Sequence, residues 1–436
     1  MKRIIKLISA VMAVCLLFSG CSFRLASSVD DLVSPISPFG DNADIQIAMD
    51  SYFKHGYSLK TPSGGSYITS YTFFDIDGDK NDEAVAFCEP SDNLGTIYMA
   101  ILCKADGKWQ VVQTIKGNGK DVYSLNFSDI NSDSKKEVLV CWDVISNSSN
   151  HVLSIYKYKS SKNAIKLSQI EEDKTINNYI CVDMNKDSHN ELLVFELNNG
   201  SNTSAKAKLY SLKNNKFTSL GETKLDAHVS TYTNLLTEIA DGEVRVYADA
   251  VGSDGSTMLT EVIFFSKTYN SLASPFYSYS TGLTKGTSRS AMITSRDVDG
   301  DGIIEFPVDT SMKKLPKEVK AFDWRYYDKK NSISMHKINS VAVERDKYIL
   351  LIPNKYFDDI SVKYDSDKHT LTIKDKKSKD DVLSVMPVLK AVYSADKYKG
   401  YSKVLEDSGY CYLAKTADSD KIKITTDELK KLIISY

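Results

Sequence analysis

The chain has 436 residues, 26% of them charged and 42% hydrophobic, with a formal net charge of −2. That length holds more than one domain and that apolar content fills ordinary cores, so disorder is excluded as the default state. The charge balance leaves no basic footprint for nucleic acid, and seven cysteines without a CxxC pair leave buried thiols as the favoured reading over disulfide staples, with a Cys88–Cys103 bridge as the alternative.

The first residues, Met1-Lys2-Arg3-Ile4-Ile5-Lys6, precede an apolar run from Leu7 to Phe18 and then Ser19-Gly20-Cys21. A charged start, a short apolar stretch and small residues form an export signal over residues 1–20, too short for a comfortable membrane span. The Cys21 context resembles the lipobox of bacterial lipoproteins, with Phe18 where that pattern prefers Leu. The resemblance implies a lipidated Cys21 as the mature N-terminus, holding the protein on the extracytoplasmic face of the cell membrane. Cleavage would remove Lys2, Arg3 and Lys6 and no acids, taking the formal charge from −2 to −5. Residues 21–41 are polar and proline-punctuated and read as a tether.

Residues 43–55 place Ile45, Met49, Tyr52 and Phe53 at helical spacing. Short strand-like runs follow at the density of an all-β domain: Tyr67–Phe74, Glu83–Cys88, Thr96–Cys103 and Trp109–Ile115, then Val122–Phe127, Glu137–Trp142, Val152–Tyr158 and Ile165–Ile170. In each unit a nine-residue acidic loop joins the first strand to the second. Loop one spans residues 75–83, loop two 129–137, loop three 183–191 and loop five 297–305. The first three begin 54 residues apart and the last follows after 114, close to two further periods. The missing copy falls at Thr237-Glu-Ile-Ala-Asp241-Gly242-Glu243, which lacks the spaced aspartates and is expected to be metal-free. Four strands per repeat at this period predict a β-propeller of about five blades over residues 42–343, the helix included.

From Lys347 the pattern changes. Strand-like runs at Tyr348–Pro353, Ile360–Tyr364, Thr370–Ile373 and Val382–Val392 precede a capped amphipathic helix over 426–434, which predicts a separate small α+β domain over residues 344–436.

Each loop places oxygen side chains at positions one, three, five and nine, the composition a hard cation such as calcium requires. An EF-hand would need an acid at position twelve and helices on both sides, whereas position twelve here is Ala86, Val140, Val194 or Val308 within an apolar run. The loops instead resemble those of FG-GAP and VCBS repeats of integrin-type propellers. Carried over by position, that resemblance implies calcium ligands Asp75, Asp77, Asp79 and Glu83 in loop one; Asp129, Asn131, Asp133 and Glu137 in loop two; Asp183, Asn185, Asp187 and Glu191 in loop three; and Asp297, Asp299, Asp301 and Glu305 in loop five. It adds the backbone carbonyls of Asn81, Lys135, His189 and Ile303. The ninth residue departs from the commoner Asp, and only loop five has Gly, Gly302, at position six. Charge count and Gly302 together predict calcium affinity in the order loop five, loop one, then loops two and three. The stretch from Leu32 through Asp79, with Tyr348–Pro353 and Asp381–Val385, looks like a group of bacterial VCBS-repeat lipoproteins, which brings no activity with it.

No nucleophile elbow, zinc-protease motif, Walker loop or dinucleotide fingerprint occurs, and the six histidines stand singly. Tyrosines and the three tryptophans could line a binding face, although strand alternation favours the core. The expectation is a calcium-stabilised, non-catalytic envelope lipoprotein whose propeller surface binds a protein or glycan. Alternatives are an envelope enzyme acting on polysaccharide or peptide, its carboxylates meeting in space, or an accessory subunit docking through residues 344–436.

Overall fold

In the strand Glu83–Pro90, Val85 and Phe87 point one way and Ala84, Ala86 and Cys88 the other, and both sets are buried. Such a strand is covered on two faces, which is why it reads as a continuous apolar run. Glu137–Asp143 repeats the arrangement, with Val138, Val140 and Trp142 opposite Leu139 and Cys141, and Glu191–Glu196 does so with Leu193 and Phe195 opposite Leu192 and Val194. These strands sit at the centre of successive antiparallel sheets, each closing one interface in front and one behind.

The structure is a computed structural model that describes residues 40–436 apart from 146–148, 160–164, 171–172, 198–203, 311, 313 and 418–421. The export signal, Cys21 and most of the tether lie outside the described residues. The protein is mainly β. In the first sheet, Tyr57–Lys60 and Tyr71–Phe74 share one edge of Glu83–Pro90, followed by Tyr98–Ala105 and Lys108–Lys116. The second contains Asp121–Ser128, Glu137–Asp143 and His151–Lys159, with Lys166–Gln169 and Lys174–Ile176 sharing its far edge. Asn178–Val182, Glu191–Glu196, Ala205–Lys213 and Lys216–Leu225 make the third, and Val229–Ala240, Glu243–Gly252, Met258–Ser266 and Ser271–Ala273 the fourth. The fifth is Phe306–Asp309, Val319–Asp328, Ile333–Val343, Tyr348–Ile352 and Ile433–Ser435. Strands from Ile360 to Thr416 form a sixth.

Buried clusters join these sheets in chain order, first to second, second to third, third to fourth, fourth to fifth and fifth to sixth. Equivalent positions meet across the interfaces, as where Gln113 Nε2 donates to the Leu167 carbonyl 54 residues on, at 2.9 Å. The free face of the first sheet is covered by the helix Asp41–Tyr52 through Ile45 and Met49, and the far face of the fifth by the sixth sheet. None of the buried clusters among the described residues joins the first sheet to the fifth or sixth.

Residues 344–436 do not form the separate unit expected from the sequence. Tyr348–Ile352 pairs with Ile333–Val343 and then with Ile433–Ser435, so the fifth sheet crosses the expected boundary. The sixth sheet packs on it through Leu371, Val385 and Tyr412 against Val341, Leu350 and Ile433. The C-terminal helix is capped by Thr425, whose hydroxyl accepts from Glu428 N while Glu428 Oε2 accepts from Thr425 N. It stops at Leu432 because Ile433 and Ile434 take up strand pairing with Leu350 and Ile349. The first strand of the fifth unit is also reduced, to the single bridge Arg296–Glu305. The chain before it is drawn instead to the fourth sheet, where buried Asp249 accepts from Ser295 N and pairs with Arg289, each at 2.7 Å.

All five cysteines among the described residues are free thiols, and no described helix is long and apolar enough to cross a membrane.

Candidate metal centres

Every acidic loop is built by its own carboxylates. The first aspartate accepts from backbone N–H groups three to five residues on: Asp75 from Gly78, Asp79 and Lys80 at 2.7–3.1 Å, and Asp297 from Gly300, Asp301 and Gly302 at 2.7–3.2 Å. Asp129 holds Ser132 and Ser134 in this way, and Asp183 holds Asp187 and Ser188. The aspartate at position five accepts from position seven, fixing the peptides of Asn81, Lys135, His189 and Ile303 whose carbonyls the resemblance assigns to metal. Short carboxylate side chains capturing nearby N–H groups are what drives an Asx-type turn. Positions four and six are left-handed in every copy, taken by Gly78, Gly300 and Gly302 but also by Lys80, Ser132, Ser134, Lys186 and Ser188.

The glutamate at position nine closes each loop from beneath. Its Oε2 accepts from the N–H of position two, Ile76 to Glu83 at 2.9 Å, Ile130 to Glu137 at 3.0 Å, Met184 to Glu191 at 2.8 Å and Val298 to Glu305 at 3.0 Å. The position-two side chains are themselves buried and pin each loop to the core. Sequence reading missed them, although an apolar residue stands there in all four copies. The four glutamates are at most 5% exposed. Burial pushes Glu83, Glu137 and Glu191 up to about 7 and Glu305 up to about 8, with loop aspartates adding to the rise and the position-two N–H opposing it. A carboxylate this far from water calls for a proton or a cation.

The assigned residues converge unequally. One oxygen from each of Asp75, Asp77 and Glu83 lies within 4.8 Å of the others, as do those of Asp183, Asp187 and Glu191, and of Asp297, Asp299 and Glu305. Asp79 and Asp301 stand outside those groups, and the carboxylates of loop two form none among the described residues. In loop two the Asn131 amide donates to Glu137 Oε1 at 2.5 Å and Asp133 Oδ2 at 3.2 Å, and in loop three Asn185 donates to Glu191 Oε1 at 2.8 Å and Asp187 Oδ2 at 3.1 Å. Among the assigned residues two buried acceptors remain without hydrogen bonds, Asn185 Oδ1 and Glu305 Oε1. All-oxygen donors with orphaned acceptors fit a hard divalent cation such as calcium. Over loop one a cavity of about 910 Å³ opens between Asp79, Lys80, Lys104, Trp109 and Tyr158.

The fourth copy is a tight Asp241-Gly242 turn between paired strands. The buried Arg245 guanidinium reaches Glu238 Oε1 at 2.7 Å, Asp241 Oδ2 at 2.6 Å and Glu243 Oε2 at 3.6 Å. This copy carries a protein cation. The tryptophans lie in the core, Trp142 and Trp324 bonded to Ser154 and Ser340 and Trp109 to Asp41. No histidine joins a metal-holding group among the described residues.

No protein-family model matches the chain, and no curated protein does. Among solved structures it is similar to a hypothetical selenium-binding protein from Sulfolobus tokodaii at 11% identity, over 53% of this chain and 58% of that one, with a TM-score of 0.31. It is also similar to a rhamnogalacturonan lyase at 13% identity, over 74% of this chain and 71% of that one (TM-score 0.28), and to a Bacillus licheniformis rhamnogalacturonan lyase at 11%, over 86% and 74% (TM-score 0.26). The chain thus spans 58% of the length of the first of these. Likenesses this remote assign neither an activity nor a ligand.

Proposed function

We propose that this is a calcium-stabilised, non-catalytic envelope protein, lipid-anchored through Cys21, whose FG-GAP/VCBS-type sheets act as propeller blades and present a surface to a protein or glycan ligand. The observation that carries the metal reading is the recurrence, in four loops, of one construction: an aspartate that shapes the turn and a buried glutamate beneath it. The lipid anchor rests on the residues around Cys21, and the ligand surface on the opening over loop one. Trp142 and Trp324 lie in the core, and that opening is lined by charged loop residues together with Trp109 and Tyr158. In this reading calcium is a structural ligand: it neutralises the loops and holds the sheet ends in place, and it does no chemistry.

Calorimetric titration of the chelator-treated protein with calcium chloride tests the metal reading, and membrane partition of Cys21→Ala tests the anchor. Saturable calcium uptake and loss of the variant from membranes are expected. No calcium heat, or an unchanged partition, would remove the corresponding part of the proposal.

A further inference from the structure

We propose that loop five carries its own cation, the Lys337 ammonium, and takes up calcium only where Lys337 is displaced or removed. The inference rests on the calcium reading of the loops and removes loop five from the head of the affinity order that charge count and Gly302 suggest. Lys337 Nζ lies 3.1 Å from Asp299 Oδ2 and 3.8 Å from Glu305 Oε1, and it also bonds Asp301 Oδ2. Those three carboxylates are the third, fifth and ninth positions of the loop. Glu305 is fully buried and its Oε1 accepts no hydrogen bond, so the ammonium is the cation that faces it. A divalent ion and an ammonium cannot share this space, because both need the same oxygens and repel each other at contact distance.

Strand register shows that this lysine is placed. In the fifth sheet Arg325 pairs with His336 and Trp324 with Ile338, leaving Lys337 as the extra residue of a β-bulge. A bulge re-aims a side chain. The same bulge occurs at the same distance from the loop in the first sheet, where Leu102 pairs with Val111 and Ile101 with Gln113, and in the third, where Tyr210 pairs with Ser219 and Leu209 with Gly221. The residues left over there are Val112 and Leu220, and the second sheet has Ile170 after Gln169, the partner of Tyr156. All three pack into the hydrophobic clusters between sheets. A position that is apolar beside loops one, two and three is thus a lysine beside loop five, the loop with the most glycine and with acids at all four assigned positions.

With Arg245 in the fourth sheet, this divides the molecule. The first three sheets have loops open to metal, whereas the fourth and fifth hold arginine and lysine in their place. The junction between the fifth sheet and the C-terminal strands, where Asn354 Nδ2 also bonds the Lys337 carbonyl at 2.9 Å, therefore keeps its shape whatever the calcium level.

Native mass spectrometry of the full chain in calcium, with hydrogen exchange read peptide by peptide, tests this. Lys337→Leu should bind one calcium ion more than the wild type, and Val112→Lys one fewer. Asp299→Asn should leave the wild-type count unchanged but remove the ion gained by Lys337→Leu. In the unaltered chain, calcium should slow exchange in loops one to three and leave residues 297–305 as they were, a readout that needs no variant to fold. Calcium protection of 297–305 in the wild type, or loss of an ion on Asp299→Asn alone, would overturn the inference and leave the calcium reading intact. No calcium on any variant would overturn both.

Discussion

The backbone N–H of Ile76 meets Glu83 Oε2 at 2.9 Å beneath loop one, tying an apolar anchor to a buried carboxylate seven residues away. Burial of that carboxylate, which the N–H only partly offsets, sets the pH response of the metal-free protein. Glu83 titrates near 4.5 in the unfolded chain and is pushed up to about 7 by burial, as are Glu137 and Glu191, with Glu305 higher at about 8. The folded state keeps protons that the unfolded chain releases. The glutamates' contribution is therefore whole below about pH 4.5 and is lost as pH rises through 7. In chelator, the melting temperature should fall between about pH 4.5 and about pH 8, and the combined Glu83→Gln, Glu137→Gln, Glu191→Gln variant should show a flatter decline. Equal slopes would mean that these groups are ordinary carboxylates.

The amides of Asn131 and Asn185 point donors at carboxylates that Asp77 faces with another charge in loop one. Asp77→Asn should convert loop one to the weaker type and lower calcium affinity by roughly tenfold or more, through loss of one charged ligand. Asn185→Asp should do the reverse in loop three. Calorimetry resolves both, and a tightening on Asp77→Asn would contradict the assignment of position three.

Removing the guanidinium with Arg245→Met should be costly and indifferent to calcium. It leaves the buried Glu238 carboxylate with only Ile304 N and the Tyr247 hydroxyl, at 2.8 and 3.3 Å, and breaking a buried pair from one side costs about 3–5 kcal/mol. Denaturant unfolding with and without calcium should give the same loss.

Gly302→Ala is a purer backbone test. A Cβ there meets nothing within 4 Å, and φ is 85°, so the cost is left-handed strain alone, about 1 kcal/mol. Gly300→Ala should cost about the same. A loss several times larger would show that loop five makes contacts through its turn.

Strands and loops were legible in the sequence because both are local. Each acidic loop is written in nine consecutive residues, and strands such as Glu137–Asp143 and His151–Lys159 stand as apolar runs between them. Even the absence of the motif at 237–243 foretold a different fourth copy. Lys337 was not legible, since nothing around it differs from an exposed lysine until the bulge against Trp324 and Arg325 turns it toward a loop more than thirty residues earlier. Arg245 was hidden likewise, as a charge inside an apolar run whose partner Glu238 lies across the hairpin. Ile433 and Ile434 continue a helical spacing and become a strand only because Tyr348–Ile352 offers an edge. That pairing erased the boundary expected at residue 344.

The most direct measurement is thermal unfolding of the whole protein near neutral pH, first in chelator and then in millimolar calcium, with magnesium as the control. Each occupied loop adds about 1.4 kcal/mol when calcium is tenfold above its dissociation constant, so loops one, two and three together add about 4 kcal/mol. The account predicts a melting temperature raised by calcium, less by magnesium, and lowered again by chelator. A melting temperature that calcium does not move would contradict it.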